Sequence, residues 1–202
     1  AYRQAAQVVS QARQATAPQL SQAISAAMQE LGMAGGRFEV TLTPLTEPTA
    51  NGLEGIEFLV AGHPGATPKP VAKVASGGEL SRMALAIAVT TSQLGQAPTL
   101  IFDEVDAGVG GSVAHSVGRL MKRLGQDRQV LAVTHLAQVA ACANHHLKVS
   151  KSFPAGEGLF PMTTLSSVTI LSETDRVAEI ARMLGGDAHS AASMAHAREM
   201  LS

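Results

Sequence analysis

Thr99-Leu100-Ile101-Phe102-Asp103-Glu104 sets a short apolar run directly before two adjacent carboxylates. Such a run, bounded by polar residues, reads as a strand buried on both faces, the kind found in parallel sheets covered by helices. Ligands of open α/β sheets bind at the carboxyl edge, which is where this strand delivers Asp103 and Glu104. One carboxylate there can hold Mg²⁺, directly or through water. Its neighbour can orient or deprotonate an attacking water. The plainer alternative is an acidic strand end that caps the next loop, and the hexapeptide alone leaves both open.

Outward from it, the pattern alternates. Residues 76–94 predict a helix, 99–102 the strand just quoted, 113–124 a helix, 129–133 a second apolar strand, 136–143 a helix and 146–150 a third strand. Strands alternating with helices predict a mostly parallel sheet flanked by helices. Residues 152–161 read as a loop and 163–171 as a further strand. Ser172 with Asp175 then predicts the start of a helix over 173–184, stopped at Gly185-Gly186, and a last helix spans 190–201. Upstream, 37–43 and 53–61 alternate apolar and polar residues and predict an antiparallel pair. A proline-rich loop over 63–70 follows. Residues 1–31 are rich in Ala and Gln, and Leu20, Ile24, Ala27 and Leu31 make a narrow apolar seam. Pro18 is expected to start a new helix or kink the old one, and Gly32 to cap it. The seam fits a surface helix packed on its own domain as well as the root of a longer coiled coil.

Two further motifs lie in this frame. Ser76-Gly77-Gly78-Glu79-Leu80-Ser81-Arg82 places a serine and two glycines at a helix start. Free N–H groups and the helix dipole make that a ready anion site, and glycine lets a ligand approach the backbone. Ser76-x-x-Glu79 is equally an ordinary capping box. Thr134-His135 follows the second strand, where a histidine can hydrogen-bond a phosphate but is more commonly just a loop residue. Taken singly, each motif has a plain explanation. All three fall within 60 residues, each at the sheet edge where a nucleotide would sit.

At this point the resemblance is specific. Residues 76–82 resemble the ABC signature motif, 99–104 the Walker B strand with its catalytic glutamate, and His135 the H-loop histidine. The surrounding text, PVAKVASGGELSRMALAIA, PTLIFDEVDAGVGG, VLAVTHLAQVAACANHHLKVSK and RVAEIARMLGG, resembles the RecN family, SMC-like ATPases of bacterial DNA repair. The wider class usually carries a D-loop aspartate seven residues after the Walker B aspartate. Here Gly108-Val109-Gly110 fills the D-loop, with Gly110 at that place, and Asp106 is not equivalent to it.

The resemblance implies an α/β ABC-ATPase head: residues 1–36 re-enter from a coiled coil and 37–202 form its C-terminal lobe. It implies ATP and Mg²⁺ as cofactors, Glu104 and His135 as catalytic residues and Asp103 as the Mg²⁺ ligand. Ser76, Gly77, Gly78 and Glu79 would bind ATP across a dimer of heads. The chain has no GxxxxGK[ST], so the P-loop is expected from an N-terminal half of the same protein. Double-strand-break repair and recombination is the implied process, with DNA and a second head as partners. Two alternatives remain: an ATP-gated structural clamp with negligible hydrolysis, and the head of another SMC- or ABC-type ATPase.

Bulk properties fit this. Net charge is −1, so any DNA contact needs a local basic patch. One cysteine, Cys142, excludes an internal disulfide and fits a reducing cytoplasm; the resemblance implies a bacterial cytoplasmic, nucleoid-associated setting. No apolar run is long enough for a membrane span. The chain opens at Ala1, inside a helical pattern, and is expected to be part of a longer protein. Cys142, His145 and His146 lack a second ligand pair and make a poor zinc site. Met28, Met33, Met83, Met183 and Met194 are expected to fill core. Lys69, Lys73, Lys148 and Lys151 read as surface charges.

Overall fold

In the computed structural model, which describes residues 1–74, 76–92, 97–152, 165–185 and 190–202, the chain begins with α1 (Tyr2–Glu30), a helix of 29 residues. Pro18 lies inside it and starts no new helix; the residue is exposed, so its ring faces solvent. Of the predicted seam, Ile24 and Leu31 are buried while Leu20 and Ala27 are half-buried; Ser10 and Ala17, which the sequence does not place in it, continue the seven-residue spacing of Ile24 and Leu31 toward the start of the helix. Gly32, at φ +78°, takes the left-handed conformation just after the helix. A β-carbon there would lie 3.0 Å from a Val113 methyl and 3.8 Å from a Val109 methyl.

Two compact units make up the chain, Ala1–Thr134 and His135–Ser202. In the first, β1 (Arg37–Thr49), β2 (Gly52–Ala61) and the two-residue β3 (Lys69–Pro70) form an antiparallel sheet in that order. The hairpin extends beyond the predicted 37–43, and β3 falls in what reads as a proline loop because Pro70 contributes no amide to the ladder. β1 is an edge strand, and α1 covers its open side with polar groups spaced four residues apart. The Phe38 amide donates to Ser25 Oγ at 2.9 Å and the Val40 amide to Ser21 Oγ at 3.0 Å. Gln29 donates to the Gly36 carbonyl and accepts from the Gly35 amide, at 3.0 and 2.7 Å. Farther along, Arg13 reaches Glu54 and the Asn51 carbonyl, and the Tyr2 hydroxyl reaches the Thr49 carbonyl.

Behind this hairpin come α2 (Gly77–Thr90), β4 (Thr99–Phe102), α3 (Gly111–Leu124) and β5 (Gln129–Ala132). β4 and β5 pair in parallel, Thr99 opposite Gln129 through Phe102 opposite Ala132. Among the described residues this is the one parallel ladder; the mostly parallel sheet that the sequence predicts is not found there, because the other two sheets pair antiparallel. Nor is β4 buried on both faces: Phe102 is buried, but Ile101 is 70% exposed. Met28, Met33 and Met83 are buried with Ile24, Leu31, Leu85, Val105, Val117 and Leu124. The last residues of the predicted helix 76–94 lie outside the described set, as do 153–164 and 186–189, which include all of the predicted loop 152–161 except Ser152, the first residues of the predicted strand 163–171 and the second glycine of the predicted helix stop; Ser152 instead belongs to a strand.

The second unit holds α4 (Ala137–Ala141), β6 (Leu147–Ser152), β7 (Leu165–Ile170), α5 (Glu173–Met183) and α6 (Ala191–Leu201), with β6 antiparallel to β7. Ala137, Ala140, Ala141, Ile180, Ala181 and Ala197 form its core, with Met183 and Met194 packed against it. The Arg176 guanidinium donates to the carbonyls of Ala140, Ala141, Ala143 and Asn144 and so satisfies the C-terminal end of the short α4. Glu179, 5% exposed, takes Lys148 at 2.6 Å and Arg182 at 2.5 Å. Among the described residues no helix is long and apolar enough to cross a membrane.

Two outcomes follow. Ser25→Ala removes the acceptor of a strand amide beneath α1 and should lower stability by about 1–2 kcal/mol in urea unfolding, whereas Gln22→Ala on the solvent side should change it by under about 0.5 kcal/mol. Hydrogen bonds from Arg182 hold Glu179 down, from the ordinary 4.5 to about 2. A folded-state value below the unfolded one contributes stability at higher pH that is lost as pH falls between about 4.5 and 2. Acid unfolding of Glu179→Gln should lack that share of the pH dependence.

Candidate functional site

The first unit gathers the sequence-predicted carboxylates and glycines at the carboxyl end of β4. Ser76 caps α2, its hydroxyl accepting from the Glu79 amide at 3.3 Å, so the capping-box reading holds as far as the serine goes. The Gly77 and Gly78 amides precede the first intrahelical hydrogen bond and add the helix's positive end to the site. Ser76 and Gly77 are exposed and Gly78 is buried.

Opposite this turn runs the loop that leaves β4. Asp103 and Glu104 are exposed, and the Glu104 amide donates to Asp103 Oδ1 at 2.9 Å, which fixes the aspartate's rotamer. Glu104 is the one non-glycine residue with positive φ among those described, at +55°. For an L-residue with a long side chain that costs about 1–2 kcal/mol. The conformation carries its carboxylate to the start of α2: a β-carbon on Gly77 would lie 2.6 Å from Glu104 Oε2. A β-carbon on Gly78 would meet the Ala107 carbonyl oxygen at 2.9 Å. The two glycines therefore do different work. Gly77 admits a side chain, and Gly78 admits a backbone.

Two residues inside the glycine motif, to which the sequence assigned no role, hold this approach. Ser81 Oγ donates to the Asp103 carbonyl at 2.7 Å, and Arg82 Nη1 donates to the Ala107 carbonyl at 2.8 Å. Arg82 is 7% exposed, and burial lowers its pKa against the opposing pull of Glu79. Asp106, also unassigned, is 2% exposed and accepts from the Thr134 hydroxyl, tying the loop after β4 to the end of β5. The Thr-His dipeptide thus contributes its threonine to the first unit. His135 is exposed and opens the second unit.

Farther along the loop, Gly108 takes φ +72° and Gly110 is extended, serving as the N-cap of α3. Val109 lies between them half-buried, its amide donating to the Asp106 carbonyl. An open groove of about 460 Å³ lies elsewhere, between α1 and β1, lined by Ala17, Ser21, Ser25, Phe38 and Val40.

The donor set suits Mg²⁺ with nucleotide, which needs only one or two carboxylates besides phosphate oxygens and water. Asp103, exposed at the end of β4, is a carboxylate that could serve there. Among the described residues no group of three or more His, Cys, Asp or Glu could hold a metal by itself. Cys142 instead donates to the Gln138 carbonyl.

No protein-family model matches the chain. Its sequence is 46% identical over 198 residues to the DNA repair protein RecN of Xylella fastidiosa strain 9a5c, covering 95% of this chain and 34% of that protein. It is 44% identical over 195 residues to RecN of Deinococcus radiodurans, covering 96% and 33%. The chain thus spans about a third of the length of the curated relatives it matches. Among solved structures it resembles the Smc head domain with a coiled coil and joint from Pyrococcus yayanosii, at 23% identity and a TM-score of 0.56 over 81% of this chain and 28% of that one. The Pyrococcus furiosus Smc head domain with an extended coiled coil gives 24% and 0.54, over 82% and 37%. The fold is that of an SMC head.

The different neighbours of the two glycines set opposite outcomes. Gly77→Ala meets the mobile end of a side chain and gains about 0.5–1 kcal/mol of helix propensity, so urea unfolding should show no loss of stability. Gly78→Ala meets backbone and should lose about 1–3 kcal/mol.

Proposed function

We propose, from the premise that this chain is a RecN-type segment with an SMC-head fold, that it is the C-terminal lobe of an ATP-hydrolysing head. Residues 1–36 bring the chain in from a coiled coil, and 37–202 form the lobe. The P-loop comes from the N-terminal half of the same protein. Two heads then enclose nucleotide between them, in a bacterial protein of DNA double-strand-break repair that works in the cytoplasm at the nucleoid. The observation that carries this reading is the Glu104 carboxylate lying against the glycine-opened start of α2, with Ser81 and Arg82 bonding the Asp103 and Ala107 carbonyls of the loop that bears it.

In this reading Glu104 accepts a proton from the water that attacks the γ-phosphorus as the bond to the ADP oxygen breaks, leaving ADP and inorganic phosphate. Mg²⁺, held by Asp103, would neutralise charge on the phosphate oxygens. Ser76, Gly77, Gly78 and Glu79 present the start of α2 to the nucleotide of the partner head, where amides and helix dipole favour phosphate. His135 donates to the γ-phosphate, and Gly108, Val109 and Gly110 form the D-loop between the sites.

The test is ATP turnover by this chain mixed with the P-loop half, with wild-type or Glu104→Gln sequence. Loss of a general base predicts a fall on the order of 10²–10⁴-fold with ATP binding retained. Wild-type mixtures that bind ATP without hydrolysing it would replace this reading with the ATP-gated clamp.

A further inference from the structure

We propose that the exposed face of α3 binds the phosphate backbone of double-stranded DNA through Arg119, Lys122 and Arg123. The choice of polyanion rests on the proposed function above, since DNA is taken as the partner from there.

α3 separates its two faces by charge. Ala114, Val117, Leu120, Met121 and Leu124 are buried, so the helix is held against its unit along most of its length. Ser112, His115, Arg119, Lys122 and Arg123 are exposed. At 3.6 residues per turn these five fall within roughly a third of the helix circumference. Each carries a hydrogen-bond donor, and no position of the helix is Asp or Glu. Arg119, Lys122 and Arg123 lie within about 6 Å of helix axis.

Such a stripe is not what stability alone would select. Arg119 stands three and four residues before Lys122 and Arg123, the spacings at which like charges on a helix repel. The helix macrodipole favours Lys122 and Arg123, which lie in the last turn, and does not reach Arg119. Among the described residues none of the three has a carboxylate at ion-pair distance, the ion pairs there being those of Arg13, Lys148, Arg182 and His196. Arg119 Nη2 meets only Ser116 Oγ of its own helix, at 3.4 Å. Arg82 and Arg128 of the same unit, by contrast, are engaged with backbone carbonyls. Nor is the stripe part of a generally basic surface, because the chain's net charge is −1.

Three cations on a fixed, acid-free platform match a regular polyanion. Ser112 adds a hydroxyl of the kind that bonds phosphate oxygens. From Ser112 to Arg123 the face runs about 16 Å, over which one DNA strand presents about five phosphates. Contacts of this kind hold the backbone and read no base, so binding here is independent of sequence.

The experiment uses a full-length RecN-type protein carrying this segment, with ATP present, and follows the anisotropy of a short labelled duplex at several salt concentrations. One variant is Arg119→Gln with Lys122→Gln and Arg123→Gln, and a second is Arg119→Gln alone. A third, Lys69→Gln with Lys73→Gln and Lys151→Gln, removes the same charge from other exposed positions. Loss of three phosphate contacts should flatten the slope of log affinity against log salt by about three and weaken binding at about 0.1 M salt by about 10²–10³-fold. Arg119→Gln alone should take about one from the slope and about five- to ten-fold from the affinity. The Lys69, Lys73 and Lys151 variant should keep the wild-type slope. Glutamine keeps helix propensity and relieves the repulsion, so thermal unfolding should not fall, and ATP turnover without DNA should stay at the wild-type rate. An α3 triple variant that keeps the wild-type slope, or a lysine variant that loses as much, would overturn the proposal. So would retained DNA binding with lost binding to polyglutamate, which would assign the face to an acidic protein. A wild type that binds no duplex would remove DNA as partner altogether. Turnover of Glu104→Gln tests the catalytic reading separately from all of these.

Discussion

The Ala107 carbonyl sits where residue 78 would carry its β-carbon, and the site is arranged around that close approach. Only glycine at 78 allows it, and Arg82, one helical turn on, donates the hydrogen bond that holds it. With the backbones in contact, Glu104 has its side chain beside the start of α2, and the strain of its positive φ is sustained by bonds at both ends of the loop. Without the approach, the Asp103 and Glu104 carboxylates would hang from a loop with no bond to the start of α2.

A second constraint acts on the other face of the same unit. An edge strand exposes unpaired amides, and β1 is a long one. α1 answers with Ser21, Ser25 and Gln29 on one face while Ile24, Met28 and Leu31 point into the core. The helix thus carries two adjoining stripes, apolar for burial and polar for the strand edge. The polar stripe makes the pairing specific in register, because each hydroxyl must meet a particular amide.

Much of this was legible in the sequence because it is periodic or local. The β4 strand, the Ser76 cap, the Gly32 stop and the heptad spacing of α1 each depend on a few neighbouring residues, and each lies where the pattern puts it. What could not be read depends on contacts distant in sequence. Pro18 breaks a helix only if the helix has no tertiary support, and α1 is tied to the hairpin on both sides of it. The Ser81 and Arg82 hydrogen bonds join residues 22 and 25 positions apart, and Asp106 meets Thr134 across 28. Ser81 and Arg82 were in plain view inside the glycine motif. The signal for them was a buried-face arginine on a helix otherwise lined with Met83, Leu85 and Ala86, which makes sense only if something across from it needs a donor.

The union of α1 with the head also has a mechanical side. A helix of 29 residues is about 44 Å long, so tilting it by about 5° moves its far end about 4 Å. Its near end rests on Val113 and Val109 through the gap left by Gly32, and its flank is pinned to the hairpin from Tyr2 to Gln29. Such a member cannot slide or roll independently of the domain; it can only swing with it. Any displacement of the hairpin is therefore carried along the whole helix to its Tyr2 end.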